Sequence, residues 1–350
     1  MSRPKISGRY ANQLRLELAQ RNRRYAQGHA HVESYGNPPV IVYAPDEDRH
    51  GNFFHPAYTA LAARSEWMRR FEKVHSQAAR SLPKPTLDPA RRWRELDSSM
   101  SSDALLMSVF CTPGVVESAS VRNVLGIDDD AAPLFGWKAR VPFANGRFDR
   151  TEVDMHLGTL LVEAKLTEGT FQTREPALVE SYRDLDVVFD RELLPRVEIF
   201  TARRKEAVEF PEVYSQEFES IVDATLPSSV LDEFHAMSAS AVAAEEFNAT
   251  RAAIPGYASY QLIRNVLAAY ATGCSFCVIH DERRPDLREE WFQVMAAVKS
   301  AEMRVRLKVL TWQELAAHLP TELQEFLDLK YGIVAPGEIA SPISEAIDSE

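Results

Sequence analysis

The chain has 350 residues, 45% of them hydrophobic, and carries a formal net charge of −11 at pH 7. That is enough apolar material for a large core, in one enlarged domain or in two. No N-terminal apolar run of signal-peptide type and no stretch of 18 apolar residues occurs, so a cytoplasmic protein with no membrane span is expected. Three cysteines give no disulfide framework. The acidic balance argues against a nucleic-acid partner for the chain as a whole, but the charge is uneven. Residues 1–98 hold 17 Lys and Arg against 10 Asp and Glu, a balance of +7, which leaves −18 on the remainder. The basic clusters of residues 1–98, Arg69, Arg70 and Lys73 among them, could supply phosphate contacts or be solvated helix faces.

In chain order, residues 6–26 read as a helix, residues 36–51 as a turn-rich stretch with Pro38, Pro39 and Pro45, and residues 57–82 as a second long helix that Pro83 and Pro85 end. His29, His31, His50 and His55 lie in or near the turn-rich stretch. Their spacing matches no metal site, and solvent-facing histidines are expected. A boundary near 82–89 separates this helical, basic segment (1–98) from a core that starts near Ser101. There residues 101–110 read as a helix with Ser102 at its N-cap, residues 115–125 as a second helical stretch, and residues 135–143 as a strand.

Residues 151–167 are the most informative. Val153, Met155 and Leu157 alternate with Glu152, Asp154 and His156. After Gly158-Thr159, Leu160, Val162 and Ala164 alternate with Leu161, Glu163 and Lys165. Two strands joined as a hairpin would bring Asp154, Glu163 and Lys165 together. Two carboxylates suit Mg²⁺, a hard cation that keeps several of its waters, and a lysine supplies a point charge beside an attacking water or a phosphate. The Leu160-Leu161-Val162 run reads as a strand buried on both faces, on which a Glu and a Lys need a reason.

Residues 168–256 read as an acidic, mostly helical insertion. Then come a helix (257–270), a buried strand (275–280), a helix (286–301), a strand (304–310), helices at 312–319 and 321–331, and an acidic, loose tail at 334–350. Cys274 and Cys277, three apart on a strand, fall on opposite faces and read as buried structural thiols. Gln261 and Asn265, four apart on their helix, share a polar face with Arg264 nearby.

Val153-Asp154, eight intervening residues and Glu163-Ala164-Lys165 resemble the PD-(D/E)XK motif of the restriction-endonuclease-like nucleases, with Val153 in place of the motif's proline. Ser101 to Leu106, Tyr260 to Asn265, Leu310 to Leu315 and Leu329 to Ile333 extend the likeness over about residues 99–333, to a poorly characterised bacterial branch. The resemblance implies an α/β fold: a restriction-endonuclease-like core of mixed central sheet flanked by helices, with the helical N-terminal segment and the helical insertion added. It also implies a Mg²⁺-dependent (or Mn²⁺-dependent) deoxyribonuclease serving restriction, defence or repair. Asp154, Glu163 and the Ala164 carbonyl would hold the metal, with Glu117 as a helix-borne third acid. Lys165 would position or activate the water, and attack would leave a 5′-phosphate. Gln261 would lie beside the metal, as in the RecB-like branch, although Asn265 stands where that branch has Tyr. Arg147, Arg150, His156 and Arg264 are candidates for contact with DNA. The competing reading is a non-catalytic nucleic-acid-binding or assembly protein that retains the fold. Oligomeric state stays open, with a homodimer among the options.

Overall fold

Five short segments, three of them rich in Val, Leu and Ile, form a central sheet: β1 (Leu134–Lys138), β2 (Glu152–Leu157), β3 (Leu160–Ala164), β4 (Ser275–His280) and β5 (Leu307–Thr311). The computed structural model describes residues 7–75, 82–83, 92–128, 131–150, 152–202 and 251–341. The strand order is β5-β4-β3-β2-β1. β1, β2 and β3 pair antiparallel, and β3, β4 and β5 pair parallel, so the sheet is mixed. Gly158 takes φ 57°, which lets the two-residue loop reverse the chain between β2 and β3.

Among the described residues the helices of five residues or more are α1 (Ser7–Tyr25), α2 (His55–Ala62), α3 (Ser65–Phe71), α4 (Ser102–Phe110), α5 (Ala119–Leu125), α6 (Tyr260–Thr272), α7 (Pro285–Ala297), α8 (Trp312–Ala316) and α9 (Thr321–Tyr331). Strand alternation sorts them to the two faces of the sheet. Leu160, Val162, Cys277 and Ile279 pack with Leu14 and Leu18 of α1, Leu105 and Val109 of α4, and Leu323 and Leu327 of α9. Leu161, Phe276 and Val278 pack on the other side with Ile263 and Val266 of α6 and Trp291 and Val294 of α7. β3 is buried at every position, as its apolar run predicts. Cys274 and Cys277 are free, buried, and divided between the two cores.

Several boundaries differ from those expected. The long helix at 57–82 is two short ones, broken at Ala63 and Arg64, and its expected last turns fall outside the described residues. The turn-rich stretch contains small ribbons, His31–Glu33 with Ile41–Tyr43 and Pro45–Asp46 with Arg49–His50. His50 is buried there, 3.0 Å from Asp97, rather than solvent-facing. Ser101, not Ser102, caps α4, accepting the Ala104 N–H at 3.2 Å. The described ends of the insertion are two single helical turns and an antiparallel ribbon, Arg196–Ala202 with Arg251–Tyr257, in place of a helical pattern; residues 203–250 lie outside the described residues. In the tail, Ser341 donates to Asp328, and residues 342–350 lie outside the described residues. Among the described residues no helix is long and apolar enough to cross a membrane.

Candidate active site

The central sheet forks beside Asp154. The β2–β3 ladder ends at Met155–Val162. Beyond it β2 keeps company with β1 as far as Lys138–Glu152, and β3 with β4 as far as Ala164–Ile279. The Ala164 amide therefore lacks a strand partner, and Asp154 Oδ2 accepts it at 2.8 Å. The next amide, Lys165 N–H, donates the other way, to the Ile279 carbonyl at 2.8 Å. Because a strand residue's N–H and C=O point to the same side, the Ala164 carbonyl also faces the fork.

Glu163 and Lys165 form the floor, 1% and 6% exposed. Lys165 Nζ donates to Glu163 Oε1 at 2.7 Å, and Asn265 Nδ2 donates to Glu163 Oε2 at 2.7 Å. Asn265 is itself fixed, since its Oδ1 accepts from Arg264 Nε at 3.1 Å and Nη2 at 2.7 Å. Arg264 Nη2 also donates to the Glu152 carbonyl at 2.8 Å. Trp312 Nε1 donates to the Lys165 carbonyl at 3.1 Å, pinning the residue from α8.

The rim is half-buried: Asp154 from β2 and Asp103 from the first turn of α4. Asp103 is ion-paired with Arg70 of α3. Ser102 donates to Glu168 Oε1 at 2.5 Å, and Leu166 N–H to Glu168 Oε2 at 2.7 Å, which ties the strand's exit to α4.

The charges are unevenly shared. Burial raises the Asp154 carboxyl well above the usual carboxylate range, and the Glu163 and Asp103 carboxylates add to this; Lys165 and the Ala164 amide only partly offset it. Burial also raises Asp103, against the pull of Arg70. For Lys165 burial works to lower the ammonium's pKa, but the Glu163 and Asp154 carboxylates outweigh it and hold the lysine firmly cationic.

Among the described residues no three of His, Cys, Asp and Glu converge as a ready-made metal site, and protein donors occupy both Glu163 oxygens. A Mg²⁺ ion needs only one or two carboxylates, however, and retains several waters. The concentration of carboxylate charge that drives Asp154 toward its protonated form is what a divalent cation would relieve. Hard oxygen donors at a half-open rim therefore fit such an ion.

The structure brings Asp154, Glu163, Lys165 and the Ala164 backbone together and leaves other expected residues elsewhere. Glu117 is exposed between α4 and α5, and Asp103 is the helix-borne acid at the fork. Gln261 sits half-buried in the first turn of α6; Asn265, one turn on, carries the bond to Glu163. Arg264 is 2% exposed and braces Asn265 and the Glu152 carbonyl from inside the fold, while its Nη1 has no hydrogen-bond partner among the described residues. His156 stacks on Trp137 with ring centroids 4.4 Å apart and lies 3.9 Å from Cys274 Sγ, away from the carboxylates. Arg147 and Arg150 are exposed beside the 143–147 turn. Asp103 escaped sequence reasoning, because an acid in the first turn of a helix is already explained by the helix dipole; Arg70 was visible only as one of the basic cluster Arg69, Arg70 and Lys73, which a solvated helix face explains as well.

A family model described as restriction endonuclease associating with ARP matches residues 13–332, a span from within α1 to just past α9. No curated protein and no solved structure matches the chain. With nearly the whole described fold inside the match, the chain belongs to the restriction endonuclease family associating with ARP.

Proposed function

We propose that the protein is a divalent-metal-dependent nuclease that hydrolyses phosphodiester bonds of DNA. Its family suggests a nuclease role. The observation that carries the finer reading is the fork itself, where Asp154, Glu163 and Lys165 meet under a rim acid, Asp103. A purely structural sheet has no use for a cation and three carboxylates at the point where its ladder opens.

Asp154, Glu163 and the Ala164 carbonyl would hold Mg²⁺ or Mn²⁺, with Asp103 alongside. When bound, the ion supplies a water of lowered pKa and offsets charge on the phosphate. Lys165 acts as a cation: Glu163 and Asp154 keep it protonated, so it orients the attacking water and balances charge rather than removing a proton. Asn265 holds the Glu163 carboxylate in one orientation, and Arg264 holds Asn265. In-line attack by the water would break the bond to the 3′ oxygen and leave a 5′-phosphate.

The test is cleavage of supercoiled and linear DNA, and of RNA, in Mg²⁺ or Mn²⁺ against EDTA. Wild type should cut DNA only with the metal, and Asp154→Ala and Lys165→Ala should not cut. Wild type inert on every substrate would sink the reading and favour a binding protein. Cleavage of RNA alone would replace the substrate.

A further inference from the structure

Arg70 belongs to α3, outside the strands and helices that build the fork, yet its guanidinium reaches into the site. It is ion-paired with Asp103, and its charge is felt at Asp154. Glu95 and Glu152 lie at 3.7 Å from Nη1, near enough for attraction but too far for a hydrogen bond. The side chain is only one-tenth exposed, and neither Nε nor Nη1 has a hydrogen-bond partner among the described residues. Two orphan N–H groups on one buried guanidinium require an explanation.

The surroundings supply one. Arg70 lines a groove of about 640 Å³ between α3 and the edge strand β1. Arg69, Lys73 and Lys138 line the same groove. Gly136 leaves the space: it sits in β1 at φ 59°, and a Cβ there would lie 3.2 Å from Arg70 Cδ and 3.6 Å from Nε. The groove thus runs along β1 and past Arg70, which is in turn ion-paired with Asp103 at the rim.

Charge decides what the orphan donors are for. Arg70, Lys73, Lys138 and Lys165 face Glu95, Asp103, Glu152, Asp154, Glu163 and Glu168, four cations against six carboxylates. Alone, this cluster is net −2 and would repel an anion. A divalent cation at the fork would cancel that excess, and a fork of guanidinium donors suits phosphate oxygens. We infer that Arg70 is a substrate-binding residue: its Nε and Nη1 take the oxygens of a backbone phosphate of a nucleic-acid strand lying in the α3–β1 groove. The N-terminal segment thereby completes the site. This rests on the nuclease reading above.

The test uses full-length protein with Arg70→Gln and Arg70→Lys. Binding of a short labelled DNA duplex is followed by fluorescence anisotropy in Ca²⁺ across a salt series, and cleavage is followed in Mg²⁺. Arg70→Gln leaves one phosphate without its cation, and should reduce the slope of log affinity against log salt by about 0.9. Arg70→Lys keeps the charge and the slope but lacks the two-pronged geometry, and should raise KM on the order of tenfold. Thermal melting checks that each variant folds; should Arg70→Gln fail to fold, the Lys variant carries the test through KM. An unchanged salt slope in folded Arg70→Gln, or unchanged KM in Arg70→Lys, with active wild type, overturns the role of Arg70 and leaves the nuclease standing. A wild type that cuts nothing overturns both.

Discussion

Lys165 and Lys330 are both buried, and they have opposite characters. Lys165 sits 2.7 Å from Glu163 and within the field of Asp154, and those carboxylates raise its pKa against the opposing effect of burial. Lys330 of α9 is fully buried among neutral groups. Its Nζ donates to Asn52 Oδ1 at 2.6 Å and lies 4.1 Å from the centre of the Tyr43 ring, and burial lowers its pKa well below the ordinary lysine value. Burial alone thus says little about function; the charge of the neighbours decides. A cation kept charged beside two acids where the sheet forks is what the proposed chemistry calls for. A lysine pushed toward neutrality, linking α9 to the N-terminal segment, holds the fold together.

The largest effect expected from breaking this contrast is at Lys165. Lys165→Ala should lower the rate of DNA cleavage by about 10²–10³-fold or more, the usual cost of removing a preorganised charge from a site where charge develops. Calorimetric Mn²⁺ titration should show metal affinity largely kept, because the lysine makes no metal bond. A variant that still cuts at the wild-type rate would place the chemistry elsewhere.

The same contrast has a signature in stability against pH. Lys330 has a lowered pKa when folded, so below the ordinary value of about 10.4 the unfolded chain binds the extra proton. Stability tied to Lys330 therefore rises as pH climbs toward that value. Lys165 has a raised pKa when folded; its contribution is complete below about 10.4 and disappears only above it. Lys330→Met, close in volume and without charge, should be nearly neutral or stabilising at pH 7, with a gain that shrinks as pH rises. Lys330→Ala should cost about 2–4 kcal/mol through the cavity it leaves. Urea unfolding at pH 7 and pH 9.5 measures both, and a gain that grows with pH would contradict the assignment of a depressed pKa.

Much of this was legible in the sequence where periodicity carries the signal. The hairpin, the buried strand β3, the two parallel strands after it and α6 all follow from alternation or a 3.6-residue apolar stripe, because one buried face leaves little freedom of register. Asp154, Glu163 and Lys165 were readable because charges at the end of such a strand are out of place. Asp103 was not, and Arg70 showed only as one member of a basic cluster, since the pairing of the two comes from contacts between elements far apart in the chain. Glu117 and Asp103 look alike in sequence, and only the packing of α4 on the sheet separates them. Asn265 and Gln261 share a helix face, so the pattern could not decide which would reach Glu163.

A smaller effect is expected at Asn265, which links Glu163, the partner of Lys165, to the interior. Asn265→Ala removes the Oε2 hydrogen bond of Glu163 and leaves the Arg264 guanidinium with the Glu152 carbonyl but without its Asn265 acceptor. Loss of a supporting hydrogen bond of this kind lowers activity about 10–100-fold, and an unsatisfied buried group costs about 1–3 kcal/mol of stability. Cleavage kinetics and urea unfolding should show both; full activity would mean that Lys165 alone suffices to hold Glu163.

The smallest effect separates an exposed acid from a half-buried one. Glu117→Gln changes a side chain that faces solvent, so stability should move by no more than ~0.5 kcal/mol, and cleavage should be unchanged. Asp103→Asn has the same chemistry on paper but acts at the rim. It removes one of the carboxylates that raise the Asp154 pKa and weakens the partner of Arg70. The metal-free protein should then hold Asp154 ionised at lower pH. The stabilisation that a divalent cation confers, about 2.7 kcal/mol when it is present at 100 times its Kd, should shrink in this variant at fixed metal concentration and stay intact in Glu117→Gln. Melting curves with and without Mn²⁺ read the difference directly. Equal metal-induced shifts in the two variants would mean that Asp103 serves only to anchor Arg70.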